Sequence, residues 1–409
     1  MKRTLVVVGA GMASGRLLEQ LLDASQDAYN VTLFGAEPRG NYNRIMLSPV
    51  LAGEASPDEI VTHDPAWYTA HGVACRFGET ITRIDRATKT VHSRNGQTPY
   101  DKLVLATGSA PFIIPVAGKE LHGVLSFRDL DDVNAMLAVA EKPGTQAVVL
   151  GGGLLGLEAA AGLKARGMQV VVLHLMGHLM ERQLDPAAGL LLQKELERRG
   201  IAIHCRAQTT AILGHKRAEA VLLDDGTIYP ADLVVMATGI RPETRVATDA
   251  GLHVERGIVV DDQMRTSDLD ILAVGECAEH AGACYGLVEP IYEMAALAAR
   301  TLRGEQASFR SVAIGTHLKV TGVNVFSAGD FLGAAGTETV TLSDHGLKTY
   351  KKLVIAGGRL VGAVLFGDTA DSLWYQELIR IGAPIEAMRD DIVFGRALAE
   401  RPTTKKLAA

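Results

Sequence analysis

The chain alternates short apolar runs with stretches in which apolar residues recur every three or four positions, the pattern of strands interleaved with helices. Thr4 to Val8 is a continuous apolar run, as expected of a parallel strand covered on both faces. Gly9, Ala10, Gly11, Met12, Ala13 and Ser14 follow, then Arg16 to Leu22 with Leu17, Leu18, Leu21 and Leu22 at helical spacing. Val31 to Phe34 predicts a second strand, ending near Glu37. The same order recurs later as a strand from Ala147 to Leu150, a turn from Gly151 to Gly156, a helix from Leu157 to Arg166 and a strand from Val170 to Leu173. Two such units about 140 residues apart form an internal duplication.

A second echo supports the first. Leu103 to Gly108 and Leu233 to Gly239 are both apolar strands ending in Ala-Thr-Gly, where the lack of a bulky side chain lets backbone approach a nucleotide. Pro111 and Pro115 mark an exit from the first unit, and Arg241-Pro242 an exit from the second. Beyond about Phe309 the pattern changes to alternating strands, over His317 to Val325 and Lys351 to Leu365, then a helix from Leu373 to Ile381 and a frayed tail from Arg401 to Ala409. The expected fold class is therefore α/β, two Rossmann-like dinucleotide-binding domains plus a small α+β C-terminal domain. The first domain is discontinuous, 1–115 and 245–308; the second spans 116–244 and the C-terminal domain 309–409.

Length agrees, since 409 residues exceed one ordinary core. With 47% apolar, 22% charged and only 5% aromatic residues the chain is globular, and its 43 glycines announce many tight turns. A formal charge of −6 gives no reason to expect nucleic acid or an anionic membrane as partner. No apolar run approaches the ~18 residues of a membrane span. The N-terminus runs straight into a strand and a glycine turn, leaving no room for a signal peptide. Four cysteines do not make a disulfide scaffold and suit a reducing cytoplasm.

A Gly-x-Gly-x-x-Gly turn holds a pyrophosphate because backbone N–H groups and the helix dipole face it. The first glycine permits the turn, the second the close approach, and the third tight helix–strand packing. Gly151, Gly153 and Gly156 complete this pattern; the first copy has Gly9 and Gly11 around Ala10, with Ser14 as a small substitute in third place. An acid ending the second strand should hold ribose hydroxyls. Glu37 stands there in the first copy. His174 stands there in the second, with Arg182 eight residues on. NADH and NADPH both stay open, and the lack of a basic cluster after that strand favours NADH.

The paired turns, the Ala-Thr-Gly repeats and the stretch from Thr266 through Ile271 to Gly275-Glu276 resemble the glutathione-reductase-like flavoprotein reductases, over roughly residues 1–305. Within that superfamily, Tyr42-Asn43-Arg44-Ile45-Met46-Leu47-Ser48 looks like the Arg-x-x-Leu-Ser segment of rubredoxin and ferredoxin reductases. Residues 151–160, Leu179 to Asp185, Gly275 to Ala278, His317 to Val323 and Leu365 to Asp368 resemble the FAD/NAD(P)H module of assimilatory NAD(P)H nitrite reductase large subunits.

That resemblance implies FAD on the first turn. Gly9, Ala10, Gly11 and Ser14 would face its pyrophosphate, Glu37 its adenosine ribose, and Arg44 and Ser48 its phosphate or ribityl side. Thr107, Gly108 and the backbone of Ile81 would meet the adenine half, and Gly275 and Glu276 the ribityl chain. NADH or NADPH would lie on Gly151, Gly153, Gly156, Glu158 and His174, with Gly239 near the nicotinamide. A helix opened by Gly286 to Pro290, with Glu289 in its first turn, would offer its positive end to reduced flavin. No side chain is assigned as catalytic, because hydride passes between the cofactors.

Residues 38–50 hold no cysteine, none follows Cys284, and no pair has redox spacing, so thiol chemistry and an iron–sulfur cluster are not expected. His174 and His178, four apart, lack a third ligand at a plausible interval, so no metal is expected. The implied activity is an FAD-dependent NAD(P)H oxidoreductase feeding an iron–sulfur or haem-containing redox partner, in nitrate or nitrite assimilation. The alternatives are a rubredoxin or ferredoxin reductase of another pathway, or a pyridine-nucleotide sensor without turnover.

Overall fold

The computed structural model describes residues 2–24, 28–310, 315–320 and 322–400. The expected frayed tail from Arg401 lies outside the described residues, as does Thr321 of the His317–Val323 motif. The chain divides into two compact units. One comprises Met1–Phe112, Arg128–Asn134 and Gly239–Ser311; the other comprises Ile113–Phe127, Ala135–Thr238 and Val312–Ala409.

The first unit is built on a five-stranded parallel sheet, in the order Ile271–Ala273, Lys102–Leu105, Arg3–Val8, Tyr29–Gly35, Val73–Phe77. Its central strand is covered on both faces, with Leu5, Val6 and Val7 at most 1% exposed, which explains the unbroken apolar run. The helix behind the turn spans Met12–Leu22 and buries Leu17, Leu18, Leu21 and Leu22. It begins one turn before the apolar periodicity does, because Ala13, Ser14 and Gly15 bring its first turn close to the sheet without large apolar side chains. A three-stranded antiparallel sheet, Ile81–Asp85, Thr90–Ser93 and Gly96–Pro99, completes the plan.

The second unit repeats it. Its parallel sheet runs in the order Ala202–Cys205, Gln169–His174, Gln146–Leu150, Leu233–Met236, Val124–Ser126. The turn helix spans Leu154–Ala165, again one turn ahead of the expected Leu157. A second three-stranded sheet, Thr209–Leu213, Ala220–Leu223 and Ile228–Pro230, extends the duplication into segments with no recognisable sequence echo. The α/β class holds.

The C-terminal segment forms an antiparallel sheet in the order Thr316–Val320, Val323–Gly329, Arg359–Phe366, Thr349–Ala356, Glu338–Asp344. Each apolar stretch expected here is a hairpin. The second reverses at Gly357 and Gly358, with φ +54° and +68°, as a two-residue turn with positive φ at both positions requires. The helix Ser372–Ile381 sits at the expected place, its Trp374, Tyr375 and Leu378 packing with Phe326, Leu353 and Leu365.

Asp185 joins this sheet to the repeated fold within the second unit. One carboxylate oxygen caps the Pro186–Arg198 helix by accepting the Ala188 N–H at 3.0 Å, and the other accepts the Tyr350 hydroxyl at 2.7 Å. Nearby, Glu195 binds Lys348 at 3.1 Å. Hydrogen bonding from Arg198 first, then from Arg199 and Lys348, holds the Glu195 carboxyl down at about 2. Asp185→Ala loses a helix cap worth about 1 kcal/mol and strands a buried hydroxyl at a further cost of about 1–3 kcal/mol. A clear fall in thermal midpoint is expected, part of it restored by Asp185→Asn, whose single amide oxygen keeps the helix cap while its NH2 group can only donate to the Tyr350 hydroxyl; calorimetry of the two variants checks it.

Candidate functional site

At the end of each central strand the backbone does the same thing. Gly9 N–H donates to Phe34 at 2.8 Å and Gly151 N–H to Leu173 at 2.9 Å, while Ala106 and Ala237 N–H groups reach back to Val8 and Leu150, both at 2.8 Å. Gly9 and Gly151 have φ +109° and +116°, and a Cβ on either would stand 2.0 and 2.2 Å from the carbonyl oxygens of Ala106 and Ala237. Two residues on, Gly11 and Gly153 cap their helices in extended conformation, with no side-chain cap and no acid in the following turn. Gly156 is needed for packing, since a Cβ would lie 2.1 Å from the Gly151 carbonyl oxygen. Ser14 solves this differently in the first copy. It is fully buried and its hydroxyl donates to the Gly11 carbonyl at 2.8 Å, beside the Asn41 amide, which binds the same carbonyl.

Around the first turn the structure gathers residues distant in sequence. The Glu37 carboxylate pairs with the Arg44 guanidinium and accepts the Tyr42 hydroxyl at 2.8 Å; burial first pushes that hydroxyl's pKa up. Arg44 lies over the Tyr42 ring and donates to the Arg128 carbonyl at 2.8 Å. Arg128 pairs with Glu276, whose carboxylate also accepts the Ser109 hydroxyl at 2.7 Å. One Arg128 nitrogen stands 3.7 Å from where a Gly108 Cβ would be. Arg128 carries no sequence signal of its own. It precedes Asp129 and Asp132, whose carboxylates cap a helix start, and its N–H donates to Asp132 at 2.7 Å.

The remaining expected residues are spread more widely. Ser48 lies on the Leu47–Ala52 helix, and Ile81 opens its strand with a buried side chain, so only its backbone is available. Thr107 donates to the Glu243 carbonyl at 2.6 Å. Gly275 follows the Ile271–Ala273 strand, and a Cβ on it would stand 3.0 Å from the Ala13 side chain. The Val288–Leu302 helix starts where expected, without a side-chain cap and with Glu289 in its first turn. Gly239, expected near the nicotinamide, belongs to the first unit and accepts the Phe112 N–H at 2.9 Å. In the second unit, Glu158 lies within the turn helix. His174 is buried beneath the glycine turn, its ring bonded to Gly152 and to Glu181, a residue not singled out in the sequence.

All four cysteines are free. Burial pushes each thiol up, Cys75 to about 11, and Cys277 is fully buried with its thiol donating to the Leu105 and Val274 carbonyls. None is a thiolate near neutral pH. Among the described residues no three His, Cys, Asp or Glu side chains gather as a metal site, and no helix is long and apolar enough to cross a membrane.

Two glycine turns at the ends of two duplicated parallel sheets define the class of NAD(P)H-dependent FAD oxidoreductases with paired dinucleotide-binding folds. The chain belongs to the pyridine nucleotide-disulphide oxidoreductase family, whose model matches residues 3–307, and a rubredoxin NAD+ reductase C-terminal domain matches residues 315–383. It is 48% identical over 372 residues to the nitrite reductase (NAD(P)H) of Bacillus subtilis strain 168, covering 90% of this chain and 46% of that protein. The assimilatory nitrate reductase electron transfer subunit of the same organism is 42% identical over 372 residues, covering 90% and 48%. The chain thus spans about half the length of these curated relatives. The crystal structure of NADH:rubredoxin oxidoreductase from Clostridium acetobutylicum superposes with a TM-score of 0.79 at 26% identity, covering 94% of this chain and 97% of that one.

With every thiol protonated and none paired, a variant carrying Ser or Ala at Cys75, Cys205, Cys277 and Cys284 is expected to keep NADH-dependent dye reduction per bound FAD. A stability loss of ~1 kcal/mol or more is expected from the packing of Cys277. Collapse of per-flavin activity, or long-wavelength charge-transfer absorbance on dithionite reduction without nucleotide, would instead indicate a thiolate against the flavin.

Proposed function

We propose that this chain oxidises NAD(P)H and passes the electrons through FAD to an iron–sulfur or haem-containing partner, in nitrate or nitrite assimilation in the cytoplasm. The reading is carried by two glycines that the polypeptide itself does not require. Gly11 and Gly153 have φ −96° and −83°, open to any residue, and a Cβ on either would meet nothing within 4 Å. What excludes a side chain there must come from outside the chain. Each glycine heads an uncapped helix, whose N–H groups and positive end suit an anion such as a pyrophosphate. Both turns therefore fit a dinucleotide.

FAD is assigned to the first turn, because two arginines converge there. Ala10 and Gly11 offer backbone N–H groups to its pyrophosphate, Gly9 makes the turn, Ser14 closes the helix's first turn behind them, and Arg44 and Arg128 stand alongside. Glu37 takes the adenosine ribose; Thr107, Gly108 and the Ile81 backbone line the adenine half; Ser48, Gly275 and Glu276 serve the ribityl side. Gly151, Gly153, Gly156 and Glu158 take the nicotinamide dinucleotide. When bound, FAD supplies acceptance of a hydride and its release as single electrons. The helix end at Val288 to Pro290 contributes a fixed positive potential to the site without rearrangement. Assimilatory nitrogen metabolism is supported by the two Bacillus relatives, and a reducing compartment by the four free thiols. A rubredoxin or ferredoxin partner of another pathway is a second reading, favoured by the match at residues 315–383.

Gly11→Val is expected to fold and to purify largely colourless. Gly153→Val is expected to stay yellow with a normal flavin spectrum while losing reduction by NADH. Flavin content and stopped-flow bleaching measure both, and a fully flavinated Gly11→Val protein would sink the assignment. Faster reduction of a rubredoxin than of a sirohaem and iron–sulfur nitrite reductase segment would favour the second reading.

A further inference from the structure

The strand end that should read the ribose of the nicotinamide dinucleotide carries His174, and its ring is committed to the protein. Its Nδ1 accepts the Gly152 N–H at 3.0 Å. The side chain is 7% exposed. An acceptor at Nδ1 in a neutral imidazole puts the proton on Nε2. That nitrogen lies 3.1 Å from the Glu181 carboxylate, so it donates to Glu181.

The chain just before Glu181 is itself fixed in place. Met180 N–H donates to the Gly152 carbonyl at 3.0 Å, so Gly152 is gripped by one side chain and one backbone group at once. Leu179 and Met180 are fully buried, and a Cβ on Gly152 would stand 2.6 Å from Leu179. Met180 has φ +52°, an unfavourable left-handed conformation for such a residue. The next residue is thereby turned back toward the strand end. Glu181, with 27% of its side chain exposed, is the member of this cluster left open to solvent.

We infer that Glu181 is the ribose-reading acid of the second turn, delivered from seven residues downstream and aimed by His174, and that it makes the chain select NADH over NADPH. This rests on the proposed binding of a nicotinamide dinucleotide at Gly151 to Gly156. A carboxylate held by one donor keeps acceptor capacity for the 2′- and 3′-hydroxyls and repels a 2′-phosphate. His174 is a positioning residue. It touches no substrate, and its two bonds lock the glycine turn and the acid into one geometry.

The test measures kcat and KM for NADH and for NADPH, with dye as acceptor, on flavin-loaded protein. The wild-type chain is expected to favour NADH. Glu181→Gln should raise KM for NADH about tenfold, the scale of one charge-assisted hydrogen bond, with kcat and FAD content unchanged and NADPH use not reduced. His174→Ala should move KM in the same direction, and His174→Gln, which can accept from Gly152 and donate to Glu181, should recover most of it. A preference ratio unchanged within about twofold in Glu181→Gln would overturn the inference, because the lost bond and the lost repulsion both act on that ratio. So would a wild-type preference for NADPH abolished by Arg206→Ala, the arginine whose Nε lies 3.7 Å from a Cβ position on Gly177. Gly153→Val separates the two levels. If it destroys NADH oxidation while Glu181→Gln leaves the preference intact, the binding site stands and only the role of Glu181 falls; if Gly153→Val keeps full NADH oxidation, the site itself is wrong.

Discussion

Two carbonyl oxygens, those of Ala106 and Ala237, set the terms for everything functional in this chain. Each lies so close to the end of the neighbouring central strand that the residue there has no room for a Cβ, the clearance being 2.0 Å at Gly9 and 2.2 Å at Gly151. The glycine lets the chain turn beneath its neighbour and start a helix at once. That places an uncapped helix N-terminus at the carboxyl edge of a parallel sheet, where backbone donors and the helix dipole act together. The Ala-Thr-Gly sequences and the glycine turns are thus two halves of one steric arrangement.

The two copies use this arrangement with different surroundings. In the first, Glu37 and Glu276 are each matched by an arginine, Arg44 and Arg128, so partly buried carboxylates do not stand as isolated charges. In the second copy the corresponding wall is a neutral imidazole and a single acid, with buried apolar residues behind them. The protonated cysteines offer no thiol relay for electrons.

The duplication was legible in the sequence because its cause is local. A parallel strand buried on both faces must be an unbroken apolar run, and a strand-to-helix turn beneath a carbonyl must begin with glycine. Gly9, Gly151, Glu37 and the strands beside them follow from those rules. The helix at Ser372 followed from the pattern along the chain in the same way, whereas the one opening at Val288 was expected from the family resemblance. The hairpin at Gly357-Gly358 is a local event too, but its flanking strands continue the apolar pattern, so periodicity alone passes over it.

What only the tertiary structure decided is which distant side chains meet. Arg128 reaches Glu276 across 148 positions, and Tyr350 reaches Asp185 across 165. Neither pair has a spacing rule, because sheet order and loop paths, not neighbour periodicity, bring the groups together. His174 shows the limit most plainly. Its place at a strand end was evident, but the direction of its ring depended on the Gly152 N–H and on a left-handed Met180 that brings Glu181 back to it. Sequence position determines where a residue is attached; the hydrogen bonds of the folded chain determine where its side chain acts.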